Sequence, residues 1–318
     1  MPYRPSLRQL EYVLAVHDLR HFGRAAERCG VSQPTLSVQI GLVERSVGVP
    51  LFERTTAPVV TTPAGEMLAR TARLVLATVD ETLNDLARQT AALGGTMRLG
   101  TPPTFGPYFL PHLLPGLHER YPDLQLYIRE DSPADLEAAV AEGALDCGLG
   151  PAPERSGLTF RRIGVEAIYL GVPTEHPLAR SASVAATALQ GERLLALGRG
   201  HRLLENVRHL AERSGARIVE DFEGTSLDAI RQMVSIGMGL SLFPELYARA
   251  EFRETDNVKL LRIEDWHEYR EVGFYWRGNS GRERHYLTLA DTAVLAARQL
   301  GIGEELTPTT TRRQLQPR

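Results

Sequence analysis

The chain has 318 residues, 43% of them apolar and 24% charged, which suits two or three compact units of an ordinary globular protein. Its net charge of −3 excludes a globally basic nucleic-acid-binding surface, so any DNA-binding face has to be local. Two cysteines, Cys29 and Cys147, far apart and without CxxC spacing, exclude a disulfide scaffold and a cysteine-rich metal site.

No apolar run approaches the ~18 residues that span a bilayer. The stretch 1–10 is polar and has no signal-peptide core, which places the protein in the cytoplasm. Lys259 is the single lysine. The arginine bias suits bidentate recognition of phosphate and guanine, and genomic base composition gives the same bias.

In chain order, residues 6–19 read as a helix, with Leu7, Leu10, Val13 and Leu14 at helical spacing and Ser6 as N-cap. A short helix at 22–29 carries Ala25 and Ala26, and a third helix from about 32 to 47 has Leu36, Ile40 and Val43 on one face. Between them Gly30 suits a positive φ and Ser32 suits an N-cap, so the unit reads as a helix-turn-helix. Residues 51–63 read as a small wing, with Leu51 and Phe52 as anchors and Arg54 at the loop tip. Pro63 opens a long helix predicted to run to Leu93. Its apolar positions Leu76, Val79, Leu83, Leu86 and Leu93 follow coiled-coil spacing, which predicts dimerisation, with a helix packed on its own domain as the plain alternative, and Gly94-Gly95 ends it.

From Met97 the pattern alternates between short strands and helices up to a last helix at 284–300, an α/β fold with largely parallel sheets. Residues 304–318 are expected to be a disordered tail. The expected domains are a winged helix-turn-helix over 1–62, a linker helix over 63–95 and a regulatory domain over 96–303.

The third helix opens Ser32-Gln33-Pro34-Thr35-Leu36-Ser37-Val38-Gln39. Glutamine reads adenine bidentately, hydroxyls reach bases or phosphates, and a helix N-terminus attracts phosphate. Ser32, Gln33, Pro34, Thr35, Ser37, Gln39 and Arg54 are therefore the candidate DNA-binding residues. A merely solvated polar face is the plain alternative, as a surface ion pair with Glu53 is for Arg54. Arg20, Arg24 and Arg28 are further candidates for backbone contacts.

Residues 6–66 resemble the LysR-type regulator family. The resemblance rests on Leu7-Arg8-Gln9-Leu10-Glu11-Tyr12, His21-Phe22-Gly23-Arg24-Ala25-Ala26, Val31 to Ser37, Leu51-Phe52-Glu53-Arg54 and Thr62-Pro63-Ala64-Gly65. It implies promoter DNA as partner, a linker-helix homodimer that assembles into a homotetramer, and contact with RNA polymerase. It also implies a C-terminal periplasmic-binding-protein-like sensor of two subdomains, about 96–165 with 271–303 and about 166–270, that binds a small effector. Gly41 departs from the basic residue often found there, lowers helix propensity and removes a phosphate contact.

The stretch 101–111 (Thr101-Pro102-Pro103-Thr104-Phe105-Gly106-Pro107-Tyr108-Phe109-Leu110-Pro111), Leu145-Asp146-Cys147, Gly200-His201 and Thr225-Ser226-Leu227 resemble the OxyR group of peroxide regulators. That group places a peroxidatic cysteine directly after the Gly-His pair and a resolving cysteine nine residues later. Arg202 and Ala211 stand there in this chain, so the intramolecular disulfide switch is not expected. Cys147 reads as a core residue.

Arg202 at the mouth of a two-lobed cleft favours a carboxylate, phosphate or other small anion, with Thr104, His201 and Thr225 as further effector-binding candidates. Pairing of Arg202 with Glu205 is the plain alternative. His201/Glu205/His209 and His17/His21 have helical spacing but are not read as metal sites. No cofactor is implied.

The leading reading is therefore a DNA-binding regulator controlled by a small effector. The alternatives are a peroxide regulator acting by another chemistry and a small-molecule-binding module without a DNA role. No GxSxG, P-loop, GxGxxG or HExxH motif supports an enzyme.

Overall fold

The computed structural model describes residues 4–53, 58–87, 93–219, 226–253, 257–266 and 268–302, with backbone only at 81 and 84–87. They belong to two compact units, each described by itself.

The first unit contains α1 (Leu7–Leu19), α2 (Phe22–Arg28), α3 (Gln33–Val47), β1 (Phe52–Glu53), β2 (Val60–Thr61) and α4 (Pro63–Ala87). Ser6 and Gln9 form a reciprocal capping box at the start of α1. The predicted apolar faces meet in one core, where Val13, Val16, Ala25, Leu36, Ile40 and Val43 are wholly buried. Gly30 takes φ +65° in the turn between α2 and α3, a region that disfavours residues with a Cβ. β1 and β2 pair antiparallel, Phe52 opposite Thr61, as a two-stranded wing. Glu44 on α3 accepts hydrogen bonds from the Leu51 (2.9 Å) and Phe52 (3.3 Å) amides and ties that wing to the helix. At Gly65 a Cβ would lie 2.2 Å from the Leu51 carbonyl oxygen, so only glycine lets α4 pass this close to the wing.

The expected helix to Leu93 is corrected. The described part of α4 ends at Ala87, and residues 88–92 lie outside the described residues. Leu93 is not helical, and it is buried in the core of the second unit. The 3/4 spacing continued past the helix because a core leucine of the next unit falls in phase with it.

The second unit opens with β3 (Gly95–Thr101), α5 (Gly106–Arg120), β4 (Leu124–Glu130), α6 (Pro133–Ala141), β5 (Cys147–Pro151) and β6 (Leu158–Pro173). It continues through β7 (Ser183–Val184), β8 (Arg193–Leu194), α7 (Arg202–Ser214), β9 (Arg217–Ile218) and α8 (Leu227–Ser235). It closes with β10 (Ser241–Pro244), α9 (Glu245–Glu251), β11 (Val258–Ile263), β12 (Tyr269–Arg277) and α10 (Glu283–Gln299).

The main sheet runs in the order β4-β3-β5-β12-β6-β11-β7, with β10 also on β6. It is mixed rather than largely parallel. β3 pairs parallel with β4 and β5, but β12 is antiparallel to β5 and β6, and β10 and β11 are antiparallel to β6.

Two lobes result, each with its own core. One core gathers Leu99, Phe109, Leu149, Phe274, Trp276 and Tyr286, and the other gathers Leu170, Leu195, Leu210, Ile230, Leu242 and Leu261. β6 runs through both, with Ile163 in the first core and Leu170 in the second. No described helix is long and apolar enough to cross a membrane.

Candidate functional site

In the first unit, the start of α3 presents Ser32, Gln33, Pro34 and Thr35 to solvent, while Leu36 turns into the core. Ser32 is the N-cap: its Oγ accepts the Thr35 amide at 3.3 Å and lies 2.8 Å from the Thr35 hydroxyl. Pro34 sits in the first turn, where its missing N–H costs nothing.

Ser37 and Gln39 are half-buried, and Gln39 Oε1 accepts from Gln9 Nε2 at 3.0 Å, which fixes the Gln39 side chain against α1. Arg54 and Thr225 lie outside the described residues. Val38, which the polar reading of this helix passed over, is 58% exposed.

The neighbouring arginines are held within the unit. Arg24 donates to the Leu19 carbonyl at 3.0 Å, and Arg28 and Arg73 both meet the Asp18 carboxylate, at 3.3 and 2.8 Å. The face can therefore offer hydroxyls, an amide side chain and a capped helix N-terminus to phosphates and base edges.

In the second unit, Arg202 is the first residue of α7, and it does not pair with Glu205, whose carboxylate accepts from Arg208. Its Nη2 donates to Glu137 on α6 and its Nη1 meets Glu154. The Glu137 side chain is 6% exposed, and its other oxygen accepts the amides of Glu154 (3.1 Å) and Arg155 (3.0 Å). The Glu154 side chain is 73% exposed. These groups, with Ala134 and His201, line a cavity of about 250 Å³. His201 precedes α7, its Nδ1 is buried without a hydrogen-bond partner, and burial pushes its imidazole below the usual range, against the pull of Asp135.

Thr104 lies outside this cavity. Its Oγ1 and carbonyl oxygen accept from Arg270 at 3.0 Å each, and Arg270 also donates to Glu166 at 2.8 and 2.6 Å. Burial pushes the fully enclosed Glu166 carboxyl up, and Arg270 and the Leu246 amide oppose that shift. Sequence reasoning missed Glu137, Glu166 and Arg270, because Glu137 meets Arg202 across 65 residues and Glu166 meets Arg270 across 104.

Tyr108 on α5 packs edge-on against Tyr247 on α9, with centroids 5.5 Å apart, and burial raises its phenol to about 12. Cys147 is buried with its Sγ 3.8 Å from Met97 Sδ, Cys29 is half-buried with its thiol pushed up by burial, and neither is in a disulfide. Among the described residues no group of three or more His, Cys, Asp or Glu is arranged to hold a metal ion.

Residues 7–66 match the bacterial regulatory helix-turn-helix family of lysR type, and residues 90–296 match the LysR substrate binding domain. A hydrogen peroxide-inducible genes activator of Pectobacterium carotovorum is 37% identical over 288 residues, covering 90% of this chain and 95% of the relative. The DNA-binding transcriptional dual regulator OxyR of Escherichia coli is 37% identical over 287 residues, covering 90% and 94%.

Among solved structures, full-length OxyR of Pseudomonas aeruginosa, with one cysteine replaced by aspartate, superposes with a TM-score of 0.74 at 32% identity over 92% of this chain and 98% of that one. A hydrogen peroxide-bound cysteine-to-serine variant of Corynebacterium glutamicum OxyR gives a TM-score of 0.60 at 30% identity over 95% and 100%.

Proposed function

The chain belongs to the LysR family of transcriptional regulators, and from that premise we propose that it binds promoter DNA through α3 and the wing and answers to a small anion in its regulatory unit. The DNA contacts in this reading are Ser32, Gln33, Pro34, Thr35, Ser37, Gln39 and Arg54. The assembly is a homodimer through α4 that doubles to a homotetramer and engages RNA polymerase.

The observation that carries the effector reading is the Arg202 cluster. Where the OxyR resemblance calls for a peroxidatic cysteine, a guanidinium stands between a buried carboxylate and an exposed one. Glu137 is held by two backbone amides and stays in place. Glu154 reaches Arg202 from solvent, where an ion pair contributes little, so a free carboxylate or phosphate entering the cavity displaces it at low cost. His201 lines the same cavity. No thiol stands at 202 or 211 to form the disulfide, so peroxide is not the effector through that chemistry.

A thermal-shift screen with small carboxylates, inorganic phosphate and peroxide, on wild type and Arg202→Ala, tests this. A saturable stabilisation by an anion that disappears in the variant supports it. An unchanged melting temperature with every anion removes the effector assignment and leaves the DNA reading in place.

A further inference from the structure

We infer that Val38 is a specificity-determining residue that reads the 5-methyl group of a thymine in the major groove. This rests on α3 being the DNA-contacting helix and adds to it a base preference carried by an apolar side chain.

Helix α3 buries Leu36, Ile40 and Val43 completely and turns Thr35, Val38, Leu42 and Arg45 outward. On that outward stripe Val38 is 58% and Leu42 38% exposed, so the stripe carries no charge between the capped N-terminus and Arg45. A Cβ at Gly41 would meet only Arg45 Nη1, at 3.6 Å, so the surface beside Val38 is low and open.

Val38 follows Thr35 by three residues, which puts the two side chains side by side on one face. Gln39, the next residue, is tethered to Gln9. Thr35 and Val38 therefore project together from the same first two turns. A helix entering the major groove leads with its N-terminal residues. The groove offers one apolar feature, the thymine methyl, and apolar side chains contact it. Valine holds few rotamers in a helix, so its methyl groups meet that target with little loss of side-chain freedom. A single exposed valine elsewhere on a surface needs no explanation. Here its position beside a reading threonine, on an uncharged stripe continued by Leu42, supplies one.

The test uses the full chain and duplexes selected from a random-sequence library. Each thymine of the enriched site is replaced in turn by deoxyuridine, which lacks only the methyl group. The expected result is one thymine whose replacement weakens wild-type binding about fourfold, the value of one buried methyl group. Val38→Ala should bind the thymine and deoxyuridine sites equally, whereas Thr35→Ala should bind more weakly yet still distinguish them. Alanine favours the helix at an exposed position, so the variant keeps its fold. Equal wild-type affinity for every deoxyuridine site overturns the inference, and so does an undiminished preference in Val38→Ala. A selection that enriches no sequence overturns the DNA reading itself.

Discussion

Arg202 on α7 and Glu137 on α6 form a hydrogen-bonded ion pair in which the carboxylate is nearly buried and its second oxygen is held by two backbone amides. The two carboxylates on Arg202 are therefore unequal. Removing the buried one leaves Arg202 Nη2 and two backbone amides without their acceptor, so Glu137→Ala should cost about 3 kcal/mol. Glu154 is exposed, and Glu154→Ala should stay within about 0.5 kcal/mol of wild type. Denaturant unfolding of the full chain measures both, and equal costs would contradict this assignment of roles.

Much of the first unit was legible because its signals are local. Ser6, Gly30 and Ser32 each act within a few residues of their own position, and the 3.6-residue spacing of Leu36, Ile40 and Val43 reads directly as a buried face. The second unit was legible in class and less so in connectivity. Its strands β6 and β12 are long, so only their strongly apolar halves, near Ile168 to Val172 and Val272 to Trp276, announced themselves. The sequence reading starts helix α5 at Pro111 and runs it to Arg120, whereas it begins five residues earlier, at Gly106, with Pro111 and Pro115 both inside it. The partners of Arg202 were not legible, since nothing local in the sequence connects it to Glu137, 65 residues away.

The two thiols should differ in reactivity with the fold intact. Cys147 is fully buried against Met97, so it should react with a thiol reagent only as the unit unfolds. Cys29 is half-buried with a raised pKa, which keeps the thiolate scarce at neutral pH and its reaction slow but measurable. Timed labelling with Ellman's reagent in native buffer should titrate one thiol, and addition of denaturant the second. Peroxide treatment should leave both reducible and unlinked, and a Cys29–Cys147 disulfide on a non-reducing gel would refute the absence of a disulfide switch.

The outward face of α4 carries Val75 (38% exposed) and Leu83 (59% exposed), with Leu76 and Val79 half-buried. Their 3/4 spacing makes an apolar seam of the kind that pairs two helices. Leu83→Glu should raise the dissociation constant of the dimer more than about tenfold, because a charge then enters the seam. Thr78→Glu, at an exposed position on another face of the helix, should change it little. Sedimentation velocity over a concentration series separates the two, and dimerisation unchanged in Leu83→Glu would move the interface away from α4.

His201 gives the regulatory unit a pH dependence of predictable sign. Burial lowers its folded-state pKa below the usual value of about 6.5, while the unfolded chain titrates near that value. The unfolded state therefore takes up a proton first as the pH falls. His201 contributes stability above its unfolded pKa, and that contribution is lost as the pH falls through the folded one. Urea midpoints taken between pH 7.5 and pH 5 should decline more steeply for wild type than for His201→Gln, with the other histidines cancelling in the difference. Protonation also places a second cation beside Arg202 in the same cavity, so an anion that binds there should stabilise the wild type more at pH 5.5 than at pH 7.5. A His201→Gln profile parallel to wild type would show that the imidazole titrates alike in the folded and unfolded chain, and so is not buried in solution.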